Sequence, residues 1–413
     1  MKEVVFKEFL SEWAGTYAKT GAWPCFRFTY FCTMRVHPNI NGAILGEAAA
    51  MAGENVWVKF PNLTDWISGQ KHPTVNQLAE FAKTVRLPFG YFFLKSLPKQ
   101  KSTLPLFRSG MEKAIFTYSA DLQESIQTIE RRQEWLVEYL KAEQAEPLPF
   151  VGSFSKEDKT LDIAAHIRQV LQLPANWAQT LPDKDAALRY LIEKVESIGI
   201  YVTINGVVGN NGRRNLDPAE FKGFVLSNAF APYIFINGKD YPAAKIFTLM
   251  HELAHIWLGN SAAFDLEGFM PAENLVERKC DAVAAELLVA EKALRPLWEE
   301  YKHQPNPVMA LERVFKVSRI VIARRLLDLN IFTKNDFFVF YNEYKKYWEQ
   351  KAAESEQGGG SFYNNQNYRV GKAFFNTITE AARSGKLLYT DAYKLTGLYG
   401  KTFHTYETGG NFA

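Results

Sequence analysis

Residues 247–257 read Phe-Thr-Leu-Met-His-Glu-Leu-Ala-His-Ile-Trp, two histidines and a glutamate set into an otherwise apolar run. A run like this has to be buried, and burying imidazoles and a carboxylate is costly unless they find partners. Helical spacing supplies the partners. His251 and His255 are four residues apart, so on a helix they share one face and aim both rings at one spot. Two neutral imidazoles suit a single Zn²⁺ ion, and Glu252 lies beside them as a base for a metal-bound water. The pattern therefore predicts a helix over 243–258 that carries a metal site.

A catalytic zinc site needs a third protein ligand and one open position. No histidine occurs between His255 and His303, so a carboxylate must serve. Glu277 and Asp281 lie on a second predicted helix, 273–290, and share a face, so one can ligate and the other can orient an imidazole. Glu277 is the expected ligand and Asp281 the orienting group, with Glu267 and Glu273 as nearby alternatives. Cys280 reads as a small buried hydrophobe. Three ligands with an adjacent base describe a hydrolytic site rather than a structural one. The expected chemistry is attack of an activated water on a peptide carbonyl, with Glu252 taking the water's proton and passing it to the leaving amine. Tyr233, Ile234, Phe235, Ile236 and Asn237 form a short apolar run just upstream. They read either as a plain core strand or as a strand that aligns an extended substrate. Tyr241 and His303 are the side chains considered for an oxyanion donor, and neither is assigned.

The HExxH…ExxxD pattern resembles the gluzincin metallopeptidases. The longer text GFVLSNAFAPYIFINGKDYPAAKIFTLMHELAHIWLG, followed by ENLVERKCDAVAAELLVA, resembles the ImmA/IrrE family of metallopeptidases. Glu277, Asp281 and Ala284-Ala285-Glu286-Leu287-Leu288 fit that family's second motif, while Cys280 and Val283 replace its usual Ala and Phe. NLTDWISGQKHPTVNQLAEFAKTVRLPFGYFFL is similar to the XRE/Cro-like helix-turn-helix domain that often precedes this peptidase, and LPLFRS to the linker after it. The likeness covers about Met34 to Asp336. It implies an α+β, predominantly helical fold: an all-α helix-turn-helix domain followed by a gluzincin-like zincin core with a small sheet. It further implies a cytoplasmic zinc endopeptidase that cleaves a regulatory protein partner, a repressor or toxin-related protein, in a mobile-element, stress or toxin–antitoxin circuit. The alternative is a DNA-binding regulator or antitoxin that uses the peptidase fold as a sensor or partner platform.

The expected organisation follows from periodicity and linkers. Residues 1–33 are crowded with aromatics and lack a clean period, so they are either a packed extension or a start-site artefact ahead of a true start at Met34. Residues 34–98 form the helix-turn-helix domain, in which Thr74 caps a helix beginning at Val75 with Gln77 as its reciprocal partner. Residues 99–160 hold a linker and one long helix, 161–300 the metallopeptidase domain, 301–351 a basic helical segment, and 352–413 a tail with one good helix near 370–384. Short strands are expected at Ile200–Ile204, Lys222–Ser227 and Tyr233–Asn237.

Charge bears on partners. Lys+Arg 48 against Asp+Glu 45 gives +3, so no global field drives the chain onto nucleic acid or a membrane. No apolar run is long enough to span a bilayer, and no membrane partner is expected. Three cysteines make no disulfide framework, which fits a reducing cytoplasm. Residues 40–98 carry five cations against four acids, only +1, and the candidate recognition segment Phe60–Ser68 has no arginine. Residues 308–334 carry Arg313, Lys316, Arg319, Arg324, Arg325 and Lys334 against Glu312 and Asp328, net +4. Operator DNA is thus a candidate partner, with Lys59, Lys71, Arg319, Arg324 and Arg325 as candidate contacts. The bland reading is a solvated helix face packing on the peptidase.

Overall fold

The computed structural model describes residues 40–52, 55–85, 87, 89–96, 106–107, 119–264, 274–354 and 368–408. Residues 1–33, and with them the expected start at Met34, lie outside the described residues. Contacts divide the chain into two units, 1–101 and 102–413.

In the first unit, α1 (Gly42–Ala52), α2 (Asn55–Lys59), α3 (Leu63–Ile67) and α4 (Val75–Val85) close around Ile44, Leu45, Leu63, Leu78 and Phe81. A 3-10 turn at Phe89–Phe93 adds Phe92 to that core. The start of α4 is fixed by a reciprocal cap. The Gln77 N–H donates to Thr74 Oγ1 at 3.2 Å, and the Thr74 N–H donates to Gln77 Oε1 at 2.8 Å. Within the expected recognition segment, Phe60, Leu63 and Trp66 are buried, while Asn62, Thr64 and Ser68 are exposed.

The second unit is built on a five-stranded mixed sheet with order β1-β5-β3-β4-β2. Its strands are β1 (Leu106–Phe107), β2 (Tyr201–Asn205), β3 (Gly223–Leu226), β4 (Tyr233–Asn237) and β5 (Ala262–Phe264). β2 runs parallel to β4, β3 antiparallel to both β4 and β5, and β1 parallel to β5. Side chains alternate across the sheet as a strand's two-residue period demands. Val202, Ile204, Val225, Ile234 and Ile236 face one core, and Tyr201, Phe224, Leu226, Tyr233 and Phe235 face the other. Because both faces are covered, β2, β3 and β4 are buried along their whole length.

The first face is covered by α6 (Thr160–Val170), α7 (Lys184–Glu196), α8 (Pro242–Trp257) and α9 (Leu275–Leu288). α10 (Glu291–Tyr301), α11 (Pro307–Phe315) and α12 (Arg319–Asp328) extend that core, and α13 (Lys334–Glu354) packs on α12. The opposite face is covered by α5 (Ala120–Ala142) together with α14 (Lys372–Arg383), α15 (Tyr389–Thr396) and α16 (Gly400–Glu407). Arg132 of α5 joins these last pieces. It donates to the carbonyls of Leu395 at 3.0 Å and Val370 at 3.4 Å, and lies over the Phe374 ring. Among the described residues, no helix is long and apolar enough to cross a membrane.

Candidate metal centre

α8 has Pro242 in its first turn, where its missing N–H is not needed, and every residue from Ile246 to Trp257 is buried. Its far end is anchored by aromatic packing. Phe150 stacks on Trp257 with centroids 4.5 Å apart, and the indole N–H donates to His166 Nδ1 at 2.9 Å. α9 crosses α8 and starts at Asn274, whose side chain caps it through the Val276 N–H at 2.8 Å. Its C-terminal carbonyls meet two cations, the favourable sign at that end. Arg168 donates to the Leu287 carbonyl at 2.6 Å, and Arg325 to the Val289 carbonyl at 3.1 Å.

Between the two helices, three ligand-type groups converge. His251 Nε2 is 3.1 Å from His255 Nε2 and 3.0 Å from Glu277 Oε2, and His255 Nε2 is 3.3 Å from Glu277 Oε1. Both imidazoles are fully buried and Glu277 is 2 % exposed. On its other side, His251 Nδ1 meets Asp281 Oδ1 at 2.9 Å, a contact that fixes the ring's orientation and leaves Nε2 facing the cluster. Cys280 is also close, since its sulfur and the two histidine nitrogens lie within 4.8 Å of one another.

The electrostatics are those of a site that holds positive charge. Burial works against a charged His251, but hydrogen bonds to Asp281 and Glu277, and their charges, outweigh it and raise its pKa. Burial alone would raise the pKa of Glu277, yet His251 and His255 draw it down below the usual carboxylate range. Burial pushes His255 down and pushes the Cys280 thiol well up. Of the two candidates for a third ligand, Glu277 is therefore the one already ionised, while Cys280 would first have to lose a proton. Glu252 is fully buried, and burial raises its pKa well above the ordinary value. Among the described residues, neither of its carboxylate oxygens has a hydrogen-bond partner, nor do His255 Nδ1 and Glu277 Oε1.

A metal ion fits this donor set. Tetrahedral ligands at zinc–nitrogen or zinc–oxygen distances stand about 3.4 Å from each other, and the three groups here are 3.0–3.3 Å apart. A divalent cation would take the place of a proton among His251 Nε2, His255 Nε2 and the Glu277 carboxylate, and would leave the contact from His251 Nδ1 to Asp281 in place.

One residue at this site carried no signal in the motif reading. Gly223 opens β3, and a Cβ there would meet Thr248 Cγ2 at 2.7 Å, the Phe235 carbonyl oxygen at 2.9 Å and Glu252 Oε1 at 3.1 Å. The absence of a side chain lets the sheet run directly against the Glu252 carboxylate. A glycine at a strand's first position is the only sequence trace of that contact.

The remaining candidates fall elsewhere. Tyr233–Asn237 is β4, with the bounds read from the sequence. Its use as a substrate-aligning strand is corrected by the pairing. β2 and β3 occupy both of its edges, so no backbone donors are left for an added strand. Tyr241 stands at the N-terminus of α8, about 16 Å of helix rise before Glu252, and His303 is exposed beyond α10. Glu267 and Glu273 lie outside the described residues. Lys59 pairs with Glu80 at 3.3 Å and Lys71 with Asp65 at 2.6 Å, with both lysines largely in solvent. Arg319 pairs with Glu312 at 2.7 Å, and Arg324 with Asp328 at 2.9 Å. Arg325 is buried against Glu286.

Residues 195–327, from the end of α7 to α12, match the Peptidase_M78 family model, described as the IrrE N-terminal-like domain. Residues 370–408, which span α14 to α16, match a model described as a domain of unknown function, DUF8813. No curated protein matches the chain. The stretch that carries His251, Glu252, His255, Glu277 and Asp281 is thus similar to a metallopeptidase domain, in support of the ImmA/IrrE resemblance.

Proposed function

We propose that the chain is a zinc-dependent endopeptidase of the ImmA/IrrE type. In it, His251, His255 and Glu277 hold one zinc ion, Asp281 orients His251, and Glu252 is the general base. The convergence of two imidazole nitrogens and one ionised carboxylate within 3.3 Å, beside a carboxylate with no hydrogen-bond partner among the described residues, carries the reading. When bound, zinc supplies a water of lowered pKa and a Lewis acid for the scissile carbonyl. The chain's own part is to hold and move the proton. Burial makes the Glu252 carboxylate a stronger base than an exposed one, so it takes a proton from water and releases it to the leaving amine nitrogen. The buried walls of α8 and α9 keep bulk water away from that transfer.

The substrate proposed is a regulatory protein, a repressor or a toxin partner, and the protein encoded by the neighbouring open reading frame is the probe. Glu252→Gln keeps the size and polarity of the side chain but removes the base. Cleavage of the probe is expected to fall by about 10²–10⁴-fold, with one zinc per chain retained on metal analysis. Undiminished cleavage by the variant would sink the assignment of Glu252, and a wild-type chain that binds no zinc would sink the site.

A further inference from the structure

The register of the sheet marks what lies beside Glu252. Gly223, where an added Cβ would stand 3.1 Å from Glu252 Oε1, pairs with Ile236 on one side and Phe264 on the other. Ile236 pairs with Ile204, and Phe264 with Phe107. One row therefore crosses the sheet at the level of Glu252: Ile204, Ile236, Gly223, Phe264, Phe107. The two ends of this row are not equivalent. Towards Ile204, α7 packs along both α8 and β2, and α14 packs on β2. Towards Phe107 the row runs through β5, which begins seven residues after His255. The Ser227 N–H donates to Ser261 Oγ at 2.8 Å, which pins the start of β5 to the end of β3.

The outer edge of β5 is thus the sheet edge that continues from the metal-type helix, and an unpaired edge is a template for an extended peptide. In this chain it is already taken. Leu106 and Phe107, far upstream in sequence, pair with Ala263 and Phe264. Among the described residues the ladder holds two residue pairs, which makes it short enough to be displaced, and its connection to the same chain gives it a high effective concentration.

We infer that Leu106–Phe107 is an internal competitor for the substrate's place: by pairing with β5 it keeps closed the sheet edge that an extended polypeptide substrate uses to run past Glu252. The inference rests on the peptidase reading for what the edge is for, but the occupancy itself is testable without hydrolysis. A substrate has to displace the internal strand, so cleavage is restricted to segments that pair with β5 better than the chain's own.

The test uses the full chain in the Glu252→Gln background and a fluorescein-labelled synthetic peptide of residues 102–110, titrated by anisotropy. L106P/F107P removes both backbone donors of β1 and should free the edge. The peptide is expected to bind this variant at least tenfold more tightly than the chain with Leu106 and Phe107 intact. A peptide carrying the same two prolines is expected to bind neither. Should the proline variant fail to fold, L106G/F107G weakens the strand without removing its amides, and a smaller gain in the same direction is expected. Equal affinity for the intact and opened chains, or binding to neither, overturns the inference. The titration needs neither zinc nor Glu252, so the inference can fail while the peptidase reading stands, and the reverse.

Discussion

At the crossing of α8 and α9, His251, His255, Glu277 and Asp281 stand in a chain of contacts no longer than 3.3 Å, sealed from water on most sides. In α11 and α12, a similar concentration of charge is dispersed. Glu312 takes Arg319 and Lys184, Asp328 takes Arg324, and only Arg325 turns inward. In the first region, groups of like function face one another, and only a shared cation reconciles them. In the second, Arg319, Arg324 and Arg325 are each matched to an acidic side chain, and the helices would stand much as they do if several of the surface pairs were lost. Density of charge in the sequence does not separate the two cases. Burial and the direction in which the groups point do.

Breaking the interior pair of the basic segment tests this contrast most strongly. Arg325→Leu leaves Glu286 buried without its counter-ion, and should cost about 3–5 kcal/mol of unfolding free energy in a urea titration. Little change would mean that Arg325 belongs with the dispersed surface cations. A carboxylate between the extremes is Glu196, at the end of α7, which accepts from the Ala373 N–H at 3.2 Å where α14 begins. Burial raises its pKa to about 7, against the pull of the Ala373 amide and Lys372. The folded state then holds this proton more tightly than the unfolded one, so the contribution is full below about pH 4.5 and is lost as pH rises through about 7. The loss is up to about 3 kcal/mol. Glu196→Gln should remove that component from a series of melting curves between pH 4.5 and 7.5; an unchanged slope would show that another group carries it.

Smaller effects sharpen the comparison. Asp281→Asn keeps a partner for His251 but removes its charge, and should weaken zinc binding by about 10–100-fold in a competition with a chelator, with the fold intact. Smallest of all is the double change Lys59→Ala/Lys71→Ala. These lysines make surface pairs, whose removal should cost less than about 1 kcal/mol each. If the same variant loses binding to its own promoter fragment at low salt, the two lysines serve nucleic acid rather than stability.

The metal-type site was legible because its information is local. Histidines four apart and an acidic pair four apart on a second helix fix two faces without reference to the rest of the chain. The cap of α4 was legible for the same reason, since Thr74 and Gln77 bond to each other. β2, β3 and β4 fall within a residue of the bounds expected from their apolar runs. Their order does not follow from those runs, because a five-residue apolar segment reads alike with one paired edge or two. β1 and β5 are two and three residues long and exist only through their partners, so no periodicity announces them. Arg325 counted as one of six exposed-looking cations until Glu286, 39 residues upstream, took it into the interior. Gly223 matters only because α8 passes beside it.

Three of the four helices that cover the far face of the sheet, α14 to α16, are made long after the strands they cover. The start of α14 at Lys372 comes 135 residues after the end of β4 at Asn237, roughly ten seconds of synthesis at common ribosomal rates. During that interval Tyr201, Phe224, Tyr233 and Phe235 have α5 beside them but not Phe374, Phe375 or Phe403. A nascent chain at this stage presents an aromatic sheet face to whatever is nearby. Arg132 on α5 meets the carbonyls of Val370 and Leu395 only once that tail has been made. Yield in cells should therefore depend on holdase chaperones more than the stability of the finished molecule would suggest.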